Sequence, residues 1–390
     1  MKLLNHTNAT TTQVKSLYNK LPANIICFSH LRWDFVFQRP QHLLTRFSQS
    51  FRVFFIEEPI FDATGPDYHT YHNRGENIQV VVPHLTPGKT PAENIVKLKA
   101  LFDSFMENKQ LADYAFWYYT PMALEFTRKY LPELVIYDCM DELSAFKFAP
   151  EELKTLEKEL LKKADIVFTG GQSLYEAKKN QHANMYAFPS SIEKEHFEKA
   201  RQIRKSGNAQ PTLGFYGVID ERFDIDLIRD VADNRPGWKL ELVGPIVKID
   251  PATLPKNVNI EYLGPKNYQE LPSIIAQWDI ALIPFLLNES TRFISPTKTP
   301  EYLAAGLPVI STPIRDVVNP YGKNKLVSIG ANGQDFIVAA EQILADKAKE
   351  KWLSKVDAFL AQNSWDKTCS NMIRLINETI ENRSLTSIAQ

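Results

Sequence analysis

Short apolar runs alternate with stretches of helical spacing along most of the chain. Residues 24–28, 52–56, 78–82, 114–119, 134–137 and 164–169 are dominated by Ile, Val, Leu, Phe, Trp and Tyr, with little polar alternation. Runs of that length and continuity predict strands buried on both faces, as in a parallel sheet. Residues 40–47 repeat apolar positions at helical spacing and open on Pro40, whose missing N–H is harmless in a first turn. A second helix is expected over 173–178, and helical segments precede the runs at 114 and 134. Strand–helix alternation of this kind predicts a sheet covered on both faces.

Residues 198–211 interrupt the pattern. They are polar, charged and nearly free of large apolar side chains, which predicts an interdomain linker. The alternation then restarts, with strands expected at 212–217, 238–244, 258–264, 280–284 and 308–312 and a helix at 225–232. A short helix is expected from near Pro300 to a glycine cap at Gly306. Long amphipathic helices follow from about Gly333, with a break at 363–366. No repeat recurs at a fixed period. The expected architecture is α/β: a polar tail (1–20), a first Rossmann-like doubly wound domain (21–197), the linker (198–211), a second such domain (212–362) and a terminal helical segment (363–390). Two sheets of this type face a cleft at their carboxyl ends, where open α/β sheets bind ligands.

Composition narrows the function classes. The 390 residues are 44% apolar and 23% charged, enough for two ordinary cores. The formal net charge is −1, so no general basic field exists to hold nucleic acid. Cys27, Cys139 and Cys369 are scattered without CxxC spacing, which argues against a disulfide framework or a cysteine zinc site and for a reducing compartment. Residues 1–20 lack the apolar stretch of a signal peptide, and no run approaches the roughly 20 apolar residues of a membrane span. A cytoplasmic protein is expected, with at most peripheral contact at the inner face of the cell membrane.

The most informative segment is 290–312. A loop rich in Ser, Thr and Pro, containing Ser295, Pro296, Thr297 and Lys298, runs into the short helix that carries Glu301. Free N–H groups at a helix start favour an anion, Thr297 and Lys298 offer a hydroxyl and a positive charge, and Glu301 could accept hydrogen bonds from a ribose diol. In the plainer alternative Glu301 caps its helix and Lys298 is solvated. Pro296, Lys298, Glu301, Tyr302, Ala304, Ala305, Gly306, Pro308, Val309 and Ile310 resemble the nucleotide-sugar segment of retaining GT-B glycosyltransferases, the family 4-like group. That resemblance implies that Glu301 holds the donor ribose. The family often carries a second glutamate eight positions earlier, where this chain has Phe293.

Further positions follow from the same resemblance. The turn after the strand at 212–217 contains Gly217, where backbone N–H groups can meet a diphosphate, and Arg222 stands near the family's diphosphate-binding lysine. Alternatively Arg222 pairs with Asp220 or Asp224. Leu263 and Gly264 lie where the family reads the base, and Tyr268 either stacks or packs. In the first half, Arg32, Trp33, Arg39 and His42 occupy the first strand-to-helix loop and its helix, where the family has a glycine-rich loop; this loop has no glycine. The wording of that loop and of 139–146 is similar to a bacterial subgroup associated with cell-surface polysaccharide assembly, teichuronic-acid-type transferases among them. Arg39 could hold phosphate or an anionic acceptor; His42 has an equally plain structural reading. Asp141, after the strand at 134–137, is the candidate group near the anomeric carbon, with helix capping as the alternative. Glu58 is a weaker candidate on the acceptor side.

The resemblance therefore implies a retaining hexosyltransferase that takes a nucleotide-diphosphate sugar, UDP being the expected nucleotide, to a saccharide or lipid-linked acceptor. It needs no further cofactor and no metal, because no DxD-type pair sits in an obvious metal-binding loop. The Ser364-Trp365 turn resembles the point at which GT-B chains cross back to the first domain, which would place 363–390 there. The rival readings are a UDP-sugar 2-epimerase-type enzyme of the same architecture and a non-catalytic GT-B scaffold subunit.

Overall fold

The computed structural model describes residues 21–204, 210–346 and 348–388. The tail at 1–20 lies outside the described residues, as do 205–209 of the stretch read as linker.

The first sheet contains β1 (Asn24–Phe28), β2 (Arg52–Ile56), β3 (Tyr68–Asn73), β4 (Ile78–His84), β5 (Tyr114–Tyr118), β6 (Leu134–Cys139), β7 (Ile166–Thr169) and β8 (Met185–Ala187). Their spatial order is β3-β4-β2-β1-β5-β6-β7-β8. All neighbours pair in parallel except β3 with β4. The order reverses at β1, so the loop leaving β1 opens at a topological switch point. Alternate residues of each strand feed opposite cores. Ile25, Cys27, Phe55, Trp117 and Phe168 join one cluster, and Ile26, Phe28, Phe54 and Phe116 join the other.

The second sheet contains β9 (Thr212–Tyr216), β10 (Lys239–Val243), β11 (Ile260–Gly264), β12 (Ile280–Ile283), β13 (Val309–Ser311) and β14 (Ser328–Ile329). Its order is β11-β10-β9-β12-β13-β14, all parallel. Its single core includes the helices Ile225–Asn234 and Gly333–Ala345 through Ile228, Val231, Phe336 and Ile337.

Two features depart from the sequence reading. Tyr68–Asn73, polar and aromatic, forms an antiparallel edge strand that the search for apolar runs passes over. Glu198 to Ile203, read as linker, forms the second half of the helix Lys194–Ile203. Phe197 and Ala200 sit on its buried face and join the second core, so that helix belongs to the second sheet. Its charged outer face outweighs a two-residue apolar stripe in any count of composition.

The last helix, Trp365–Ile388, packs on the first sheet. Trp365, Cys369, Met372, Ile373 and Ile376 complete the cluster that contains Trp117 and Phe168. The two chain crossings between the sheets lie side by side: Trp365 N–H donates to the Ile192 carbonyl at 3.3 Å, and the Ser191 hydroxyl bonds the Asn363 side chain.

Candidate active site

A cleft of about 380 Å³ lies between the carboxyl ends of the two sheets, with walls from both. On the second sheet, β9 is followed at once by Gly217 (φ +140°) and β10 by Gly244 (φ +142°). A Cβ on Gly217 would lie 2.1 Å from Lys298 Cε, and one on Gly244 would lie 1.9 Å from the Gly217 carbonyl oxygen. Both positions therefore require glycine, and their absent side chains let Lys298 cross the strand ends into the cleft.

Lys298 opens the helix Lys298–Ala304. Its ammonium stands 5.7 Å and 5.9 Å from the ring centroids of Phe215 and Phe285 and forms no ion pair among the described residues. Burial pulls its pKa below the ordinary lysine value, against the attraction of Glu301. Glu301, one turn on, is 5% exposed, lines the same cleft and accepts a hydrogen bond from the Tyr216 phenol through Oε2. Burial raises its carboxyl above the usual range, and the Tyr216 bond and Lys298 oppose that rise. Its carboxylate goes to Tyr216 and not to the helix N–H groups, so it does not cap. Ser295, Pro296 and Thr297 also line the cleft.

Arg222 lines the cleft as well, and it is paired: Nε and Nη2 bond Asp220 at 2.6–3.1 Å, and the guanidinium lies 5.2 Å from the Phe146 ring centroid. The pair faces the cleft, so pairing fixes the cation there. Asp141 enters from the loop after β6, half-buried, with its pKa pushed up to about 6 by burial and eased by Arg222, Arg39 and Lys298. Its side chain forms no helix cap among the described residues.

Several expected positions are elsewhere. Leu263 and Gly264 do not line the cleft; Leu263 is half-buried against the second core, and the wall is formed by Pro265, Lys266, Asn267 and Tyr268 instead. The left-handed Gly264 (φ +66°) turns the chain, so the lining begins one residue later. Arg39 does line the cleft but is 2% exposed: it clamps Asp138 through Nε and Nη2 at 2.9–3.1 Å, with Nη1 on the Phe188 carbonyl, so its guanidinium is committed mainly to holding β6 to the first helix. His42 is 1% exposed and stacks on Trp365 at 4.6 Å behind the cleft wall. Arg32 bonds Glu57 and the carbonyls of Glu58 and Pro59, and neither Arg32 nor Glu58 lines the cleft. Trp33 does line it, its indole against Phe55 and its backbone N–H donating to the Glu57 carboxylate.

The sequence reading missed Tyr216 and the aromatic contact across the cleft, in which Phe37 stacks on Tyr268 at 4.6 Å and Tyr268 on His196 at 4.4 Å. A Tyr-Gly pair at the end of the strand preceding a phosphate-type turn was the available signal for Tyr216. Phe293, at the position the family often gives to glutamate, packs against the first sheet's core and so joins the two domains.

Residues 210–346 match the family model described as glycosyl transferases group 1. Over 259 residues the chain is 26% identical to TuaH of Bacillus subtilis (strain 168), whose name assigns it a glycosyltransferase role in teichuronic acid biosynthesis. The match covers 60% of this chain and 65% of that relative's length. Among solved structures, sucrose-phosphate synthase from Thermosynechococcus elongatus superposes with a TM-score of 0.69 at 14% identity, covering 92% of this chain and 100% of that one. Anabaena Alr3699/HepE, solved with UDP and glucose, gives 0.62 at 13% identity, covering 90% and 98%. Residues 210–346 thus match the group 1 glycosyl transferase model, in a chain whose fold is the two-sheet GT-B fold.

Proposed function

We propose that the protein transfers a hexose from a nucleoside-diphosphate sugar, with UDP as the nucleotide, to a saccharide or lipid-linked acceptor in cell-surface polysaccharide synthesis, with retention at the anomeric carbon. One observation carries this reading: an unpaired Lys298 ammonium, a buried Glu301 carboxylate and the glycine end of β9 converge on one cleft between two sheets. A diphosphate beside Gly217 would be neutralised by Lys298 and by the Asp220-held Arg222, and Glu301 would take ribose hydroxyls. Asp141, reaching in from the opposite sheet, would stabilise positive charge at the anomeric carbon as the leaving group departs. The match to TuaH supports the polysaccharide setting.

The test is calorimetric titration with UDP, GDP and dTDP, followed by NMR of a donor–acceptor mixture to read transfer and anomeric configuration. Absence of binding to all three nucleotides refutes the reading. Conversion of the donor with no acceptor present would instead indicate an epimerase.

A further inference from the structure

Tyr216 touches Glu301 and its helix at two consecutive residues. The Tyr216 phenol donates to Glu301 Oε2, and the Tyr216 backbone N–H donates to the Tyr302 hydroxyl at 2.9 Å. The end of β9 is therefore bonded to both Glu301 and Tyr302, which fixes the rotation of the helix Lys298–Ala304 about its axis. The Tyr216 ring is itself immobilised, edge-on to Tyr302 at 4.9 Å and parallel to Phe197 at 6.5 Å. With Oε2 engaged, Oε1 of Glu301 forms no hydrogen bond among the described residues and remains for a ligand.

We infer that Tyr216 is the positioning residue of the ribose site: by donating to Oε2, its phenol aims the other Glu301 oxygen at a ribose hydroxyl. The inference rests on the nucleotide reading of the cleft. A buried carboxylate tends to take up a proton, and a protonated Glu301 would lose acceptor capacity. The groups that face it are Lys298 on its own helix, Tyr216 from β9, Glu193 ahead of the helix Lys194–Ile203, and Tyr268 beyond β11. Burial and Glu193 favour the protonated form, and the Tyr216 hydrogen bond, ahead of Lys298, is the largest influence towards the charged one.

The experiment measures binding of UDP and of 2′,3′-dideoxy-UDP from pH 6 to 9 in the wild type, Tyr216→Phe, Glu301→Gln and Tyr302→Phe, with thermal unfolding run alongside. A hydrogen bond to a charged acceptor gives the wild type a roughly 10- to 100-fold preference for UDP. Tyr216→Phe is expected to lower that ratio towards the Glu301→Gln value near pH 7 and to recover it at higher pH, because loss of the donor raises the pH at which Glu301 ionises. Tyr302→Phe loosens the same seam without touching Glu301 and is expected to keep the wild-type ratio. A wild type that binds neither nucleotide, or binds both equally, removes the nucleotide reading itself. A wild type that discriminates while Tyr216→Phe keeps both the ratio and its pH midpoint overturns the role of Tyr216 alone. So does a Tyr302→Phe variant that loses discrimination as fully as Tyr216→Phe.

Discussion

Asp316, from the second domain, accepts the backbone N–H of Ser173 at 3.0 Å and so closes the N-terminus of the helix Gln172–Lys178 in the first. Gly171 makes room for it: a Cβ there would lie 2.3 Å from Asp316 Oδ2 and 2.9 Å from Ser295 Cβ. The contact thus stands directly behind the Ser295–Lys298 loop that lines the cleft. Asp316→Ala is expected to cost about 1 kcal/mol of stability, as loss of a helix cap does. It is also expected to raise the KM for the donor more than it lowers kcat. Gly171→Ala should do the same by wedging the domains apart. Steady-state kinetics with thermal unfolding would read both effects.

Asp141 gives a prediction whose sign depends on pH. Its folded-state pKa, near 6, lies above the ordinary aspartate value, so its contribution to stability is present at low pH and lost as pH rises through 6. Asp141→Asn removes that loss. The variant should be more stable than the wild type at pH 8, by about 2 kcal/mol at most given partial exposure to the cleft, with the gap about halved at pH 5 and closing only towards the ordinary aspartate value near 4. Its kcat should fall sharply at pH 8, and wild-type kcat should itself decline as pH drops below 6. Thermal melts and rates at the two pH values decide the matter.

Lys298→Met keeps the aliphatic stem and removes an ammonium that has no carboxylate partner among the described residues. UDP affinity should fall roughly 10- to 100-fold, about 1.4–2.7 kcal/mol, while the melting temperature holds. Calorimetry on the folded variant measures this directly, and an unchanged dissociation constant would remove Lys298 from the site.

The Arg39–Asp138 pair behaves differently, because both members are buried. Asp138→Asn leaves a guanidinium without its counter-charge and should destabilise the chain by about 3–5 kcal/mol. Any activity loss should track the folded fraction, measured by circular dichroism, with the KM for acceptor unchanged in the molecules that remain folded.

The sheets were legible because buried parallel strands are continuous apolar runs, and β1, β2, β5, β6 and β7 declare themselves in this way. β3 was not, since its side chains are largely exposed and its stability comes from backbone pairing with β4. The cleft residues nearest the helix Lys298–Ala304 could be read from the order of Pro296, Lys298 and Glu301, where local sequence fixes local geometry. Arg39 does line the cleft, but its clamp on Asp138 was not legible, and His42 was misplaced, for one shared reason. Each has a partner far along the chain (Asp138 and Trp365), and no local pattern announces a partner 99 residues away, as Asp138 is from Arg39. Tyr216 was hidden by its own character: a tyrosine in an apolar strand reads as core, and it is core, with only its oxygen committed to the cleft.

Trp365, which lies fully buried against His42 and bonded at its backbone to Ile192, also limits how this chain can be cut. The first sheet borrows one of its faces from the far end of the polypeptide. It cannot mature until residues 365–376 have been made, so during synthesis it waits with apolar surface uncovered while the second sheet is completed. A ribosome-released fragment ending before Ser364 would be a natural target for chaperones or proteases.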